Sequence, residues 1–180
     1  MSDKHMSVDE FERTRVARYK ELKSSSLPLL DAVIPGCERD IYNIIGRGVS
    51  EDRNHHVPIT DNQGFNLCIV ECDPGKGTLH HDHETIEAFM PLNGKWKIFW
   101  GEDEDTHCVE VEQFDVVSVP IGIMRGFRNI SDEKAQIMVT VGGTDPGKCG
   151  WHKYVLDDAK GRGYQIGEDG NIEKVGAAAE

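Results

Sequence analysis

No apolar run in this 180-residue sequence approaches the roughly 20 residues that a membrane-spanning helix needs. Met1 to Lys23 is charged and lacks the apolar stretch of a secretory leader. Together with a mean hydropathy of −0.49, this predicts a soluble, cytoplasmic protein with no membrane partner. Positive charge is also in short supply. Twenty Lys and Arg face 32 Asp and Glu, a net charge of −12, which argues against nucleic acid, whose phosphates recruit basic side chains. No CxxC pair exists among Cys37, Cys68, Cys72, Cys108 and Cys149. A cysteine-based zinc clip is therefore disfavoured, and an odd count without a leader predicts free, structural thiols. The acidic turn from Glu102 to Asp105 lacks the spacing and glycine of an EF-hand loop and reads as a charged hairpin tip. There is no internal repeat, and no low-complexity tract beyond Ala177 to Ala179.

The length suits one domain with a sizeable core, which we divide into an N-terminal helix and packing segment (1–40), a β domain (41–145) and a C-terminal extension (146–180). Ser7 and Glu10 form a capping box, with a helix predicted from there to about Lys23 carrying Phe11, Tyr19 and Leu22 on a sparse stripe. Leu27 to Gly36, with two prolines, reads as an irregular segment lying on the domain. Strands are predicted over Ile41–Val49, Phe65–Cys72, Ile86–Leu92, Trp96–Trp100, Cys108–Val111, Val116–Val119, Arg125–Asn129 and Gln136–Val141. Turn residues such as Asp73-Pro74-Gly75 and Asn93-Gly94 separate them. Many short strands at this spacing indicate an all-β barrel or sandwich. A short helix over Val155–Lys160 and a hairpin over Tyr164–Ile172 follow, and Gly176 to Glu180 reads as a frayed end.

The chemistry concentrates in Gly75 to Glu87. In a strand, residues two apart share a face, so His81 and His83 point one way while His80 and Asp82 point the other. Glu87, four beyond His83, returns to the same face if the strand continues. Two imidazoles and a carboxylate with open coordination positions suit non-haem Fe(II). Mn(II), Ni(II) and Zn(II) are compatible with the same donors.

These residues also carry a resemblance. Gly75, His81, His83, Glu87 and Gly94 stand in full register with the first sequence motif of the cupins. Pro120, Gly122 and Asn129 match the second motif, but Phe114 stands where its first glycine falls and Arg125 replaces its histidine, the family's fourth metal ligand. The resemblance covers roughly Ile41 to Gly143 and implies a jelly-roll β-barrel, a divalent metal on His81, His83 and Glu87, and a homodimer. Three readings of Arg125 stay open. It could sit beside a three-ligand metal and bind a substrate carboxylate or enolate, acting catalytically. It could pair with Glu87 and occupy the metal position. Or it could turn outward while His55, His56, His107 or His152 supplies a fourth ligand. His80 is expected to be structural or exposed. Phe89, Trp96 and Ile98 are candidate pocket residues, although packing is their ordinary role.

The leading expectation is a mononuclear non-haem iron dioxygenase acting on a small organic acid or phenolic compound. A cupin isomerase or lyase without O2 chemistry, and a non-catalytic small-molecule-binding cupin with Arg125 paired to Glu87, are the alternatives.

Overall fold

The computed structural model describes residues 5–175. The terminal residues Gly176 to Glu180, expected to fray, lie outside the described residues. Twelve strands and two α-helices follow one another along the described chain. After helix α1 (Val8–Arg15) come β1 (Asp40–Ile45), β2 (Phe65–Cys72), β3 (His81–His83), β4 (Glu87–Pro91), β5 (Trp96–Trp100) and β6 (Cys108–Val111). The chain continues through β7 (Val117–Val119), β8 (Arg125–Asn129), β9 (Ala135–Gly142) and β10 (Cys149–Trp151), then α2 (Lys153–Gly161), β11 (Tyr164–Ile166) and β12 (Ile172–Lys174).

Two antiparallel five-stranded sheets face each other, in the orders β1-β2-β9-β4-β7 and β10-β3-β8-β5-β6. The alternating burial of β9, in which every second residue is buried, shows one face turned inward. Phe89, Trp96, Ile98, Phe127 and Ile137 fill the space between the sheets, all of them nearly inaccessible. Phe127 meets Phe89 and Trp96 edge-on, at centroid distances of 5.5 and 5.7 Å, a favoured arrangement of aromatic quadrupoles. A second cluster of Ile34, Cys37 and Val155 joins the N-terminal segment to α2. Sheet two takes its edge strand β10 from beyond residue 145, and β10 pairs with β3 in the register Cys149↔His83 and Trp151↔His81.

The N-terminal helix is shorter than its sequence suggests. Ser7 Oγ accepts from Glu10 N at 3.1 Å as expected of the cap, but the helix stops at Arg15 rather than near Lys23, and only a single 3-10 turn follows at Tyr19–Glu21. It buries no residue, and a short helix without a packed face has little to propagate it. β1 ends at Ile45 rather than Val49 because Gly46 and Gly48 adopt positive φ, 69° and 61°, and turn the chain away. The irregular segment before β1 is anchored by a fully buried ion pair between Arg39 Nη2 and Asp31 Oδ1 at 2.6 Å. Asp31 Oδ2 also accepts from Leu79 N at 3.0 Å, so this pair ties the N-terminal segment to the start of β3.

Candidate metal centre

His81 and His83 share the inner face of β3, both buried, with the less buried Asp82 between them. Glu87 reaches them by a different route from the one expected. The strand does not continue from His83; residues 84–86 cross to the other sheet, where Glu87 opens β4 and pairs with Val141 and Val119. The carboxylate therefore faces the two imidazoles across the barrel interior. One donor atom from each of the three residues lies within 4.8 Å of the others, and this is the one such cluster of three or more His, Cys, Asp or Glu found among the described residues.

The details suit a cation. His81 Nδ1 lies 2.8 Å from the Leu79 carbonyl, so it carries the proton and leaves Nε2 as a lone-pair donor, the usual way a ligating imidazole is oriented. His83 Nε2 sits 3.3 Å from Glu87 Oε1, while His83 Nδ1 is buried with no hydrogen-bond partner. Burial first, then the charge of Arg125, holds the His81 imidazolium well below its ordinary range, so the ring is neutral. Burial by itself would raise the Glu87 carboxyl; the neighbouring His83 and Arg125 outweigh it and bring it down to about 2. A neutral His81 imidazole and an ionised Glu87 carboxylate are protonation states that a divalent metal requires. The residues present therefore fit a three-donor metal site.

Arg125 turns inward, toward the triad. It pairs across strands with His81, so the second-motif position lies beside the first-motif ligands. Its Nε and Nη2 donate to Glu87 Oε2 at 2.8 and 2.6 Å, and Nη1 donates to the His81 carbonyl at 3.2 Å. Arg125 thus holds one carboxylate oxygen and leaves Oε1 toward His83. None of the four other candidate histidines joins the cluster. His55 bonds Ser50 Oγ at 2.8 Å and the Ile41 carbonyl at 3.0 Å, while His56, His107 and His152 are exposed. His152 instead caps α2. His80 faces away from the triad as expected but is not exposed. It is 3% accessible, packs edge-on against Phe99 and lies 3.0 Å from the Tyr154 hydroxyl, because α2 covers that face of sheet two.

A cavity of about 50 Å³ adjoins the triad, lined by His81, His83, Glu87, Asn43, Cys68 and Val139 among others. Burial pushes the Cys68 thiol up to about 12, with Glu87 adding to the effect, so it stays protonated. Of the expected pocket residues, Phe89, Trp96 and Ile98 are all core, and none of them lines this cavity. Sequence reasoning missed Trp151. Its ring lies 5.6 Å from that of His81 and its Nε1 donates to Glu51 Oε1 at 2.8 Å. Only the pairing of β10 with β3 brings it there, and nothing local in the sequence signals that.

No family model matches the sequence, and no curated protein matches it. Solved structures do match in shape. The polyketide cyclase RemF from Streptomyces resistomycificus aligns with a TM-score of 0.55 at 15% identity, over 76% of this chain and 84% of its own. A cupin-2 domain protein from Rhodospirillum rubrum aligns with a TM-score of 0.56 at 15% identity, over 82% and 87%. The oxalate decarboxylase of Lactobacillus farciminis gives 0.56 at 16% identity, over 77% of this chain but 36% of that one, so the chain spans about a third of that enzyme's length. The two facing sheets are a jelly roll, and the chain has the cupin fold.

Proposed function

We propose that this chain is a metal-dependent cupin enzyme holding one divalent ion on His81, His83 and Glu87. The observation that carries this reading is the convergence of three buried donors from two sheets on the wall of a cavity. Two imidazoles and one carboxylate favour Fe(II), with Mn(II), Ni(II) and Zn(II) compatible. Such an ion supplies Lewis acidity and, as Fe(II), reactivity toward O2, so the finer reading is a mononuclear non-haem iron dioxygenase. The chain's own residues do the rest. The Leu79 carbonyl fixes the tautomer of His81, and Arg125 orients Glu87. Val139 and Cys68 keep the cavity wall largely apolar. An apolar cavity of about 150 Å³ binds benzene, so a space of about 50 Å³ favours a small organic acid over a phenolic ring.

The Arg125–Glu87 pair supports a second reading, in which the guanidinium takes the place of the metal and the protein binds a small molecule without catalysis. Metal analysis of protein purified without chelators and reconstituted with Fe(II), Mn(II), Ni(II) or Zn(II) decides between them. Close to one ion per chain, abolished in a His81→Ala, His83→Ala variant, supports the enzyme. Metal far below stoichiometry supports the second reading. An aerobic assay of O2 uptake then separates a dioxygenase from an isomerase or lyase on the same site.

A further inference from the structure

A groove of about 350 Å³ lies on another side of Arg125, where the metal cavity does not reach. It opens between the free edges of the two sheets, β6 at the end of one and β7 at the end of the other. Trp100, Val109, Val117, Pro120 and Ile123 form its walls. Trp100, Val109 and Ile123 are 36%, 40% and 36% exposed, whereas Arg125, which also lines the groove, is 2% exposed and so lies at its floor, where its Nη1 donates to the carbonyl of the groove residue Ile123 at 3.4 Å. Arg125 is the one charged residue among the lining residues. The volume lies within the range of small-molecule sites, roughly 300–1,000 Å³, and is ample for an aromatic ring bearing a substituent. An apolar groove ending on a buried cation is complementary to an apolar monocarboxylate, whose ring or chain fills the groove and whose anion meets the guanidinium.

The hydrogen bonding of Arg125 leaves room for this. Nη2 makes a single bond, to Glu87 Oε2, and a guanidinium nitrogen of this kind carries two hydrogens. Charge counting strengthens the case. Without metal, Arg125 and Glu87 neutralise each other. A divalent ion bound through neutral imidazoles and the same carboxylate would leave two uncompensated positive charges buried around Arg125. An anion in the groove offsets part of that excess, so metal and carboxylate should each tighten the binding of the other by the same factor.

We propose that the groove between β6 and β7 is a binding site for an apolar monocarboxylate, coupled through Arg125 and Glu87 to the metal triad. The coupling rests on the metal reading above; the site itself does not. The test is titration calorimetry of the full chain with benzoate, and with benzyl alcohol as the uncharged analogue, first after chelator treatment and then with saturating zinc. The expected result is saturable benzoate binding to metal-free protein, at least about tenfold tighter than benzyl alcohol, a difference of about 1.4 kcal/mol. Val109→Trp, at an exposed wall position, should weaken benzoate at least about tenfold while metal uptake is unchanged. Zinc should tighten benzoate, and benzoate zinc by an equal factor. Equal binding of the two compounds, or benzoate binding indifferent to Val109→Trp, overturns the site. So does a change in oligomeric state on Val109→Trp with no benzoate binding, which would make the groove a face between copies of the chain. Failure of zinc to bind leaves the coupling to be read with Fe(II), Mn(II) or Ni(II), failure of all four ions removes the metal reading and the coupling, and the metal-free arm decides the site in either case.

Discussion

Replacing Arg125 with Met removes the cation that neutralises a buried carboxylate, and the consequence depends on metal. In the structure Arg125 makes two hydrogen bonds to Glu87 Oε2, at 2.8 and 2.6 Å, and the two side chains are 2% and 4% exposed. Breaking such a pair from one side strands the other charge, which costs about 3–5 kcal/mol. Methionine keeps much of the aliphatic stem, so lost packing is the smaller contribution. Urea unfolding of the metal-free variant at neutral pH should show a loss of that size as a lower midpoint with a similar slope. A divalent ion on the triad supplies the missing positive charge. Zinc at about a thousand times its dissociation constant should stabilise the wild type by about 4 kcal/mol. At the same zinc concentration it should stabilise Arg125→Met by more, because there no guanidinium repels the ion. A metal-free loss below about 1 kcal/mol, the size of an exposed pair, would refute the buried pairing. Zinc stabilising the wild type more than the variant would refute the antagonism between Arg125 and the ion.

Glu51 predicts a pH effect away from the triad. Burial lifts its carboxyl from 4.5 to about 7, against the hydrogen bonds from Trp151 and Leu30, so its contribution to stability is complete below pH 4.5 and is lost as the pH rises toward 7. The loss is about 3 kcal/mol; urea unfolding from pH 5 to 8 should show the wild type weakening relative to Glu51→Gln, and a pH-independent difference would rule this out. Phe114 holds a φ of 70° while 66% exposed, so Phe114→Gly should gain about 1 kcal/mol by relieving left-handed strain, read as a higher Tm. A Cβ on Gly77 would stand 1.9 Å from the Phe127 carbonyl; Gly77→Ala should therefore lose about 1–3 kcal/mol or more in the same assay, and a neutral result would mean that the approach of this segment to β8 is looser than it is here.

Much of this was legible because strands declare themselves by alternation and turns by glycine and asparagine. β5, β6 and β8 fall on the expected residues, and the motif glycine Gly94 takes a φ of 72° where a Cβ would crowd Ser131 and Ala135. Phe114 explains the second motif from the opposite direction: a glycine belongs there because the backbone is left-handed, and this chain keeps the conformation without the residue suited to it. Asn129, fully buried, bridges the carbonyls of Cys72 and Glu133, so its match to the motif reflects a turn lock. What sequence could not show was three-dimensional partnership. Period-two counting put Glu87 on the face of His83, and the convergence is real, but it is made by a crossing between sheets. The partners of Glu51 and Trp151 are far off in sequence, and no local pattern encodes them.

The register His81↔Arg125 explains why one exchange at position 125 has two effects. Any side chain there is delivered to the edge of the His81, His83 and Glu87 triad by the backbone pairing, so a histidine would be placed to act as a fourth donor to any ion held on it. Arginine is longer and carries several donors on a planar fork. It spans to the carboxylate on the opposite sheet and bonds the His81 carbonyl on the way. The exchange therefore turns a would-be ligand into a clamp on another ligand and lowers the donor count to three. It also ends the groove between β6 and β7 on a positive charge, while the cavity beside His81 and His83 stays small and largely apolar. An aryl or aliphatic acid is then best accommodated with its apolar part in the groove. Only a ligand of a few atoms fits beside the donors without movement of the cavity wall.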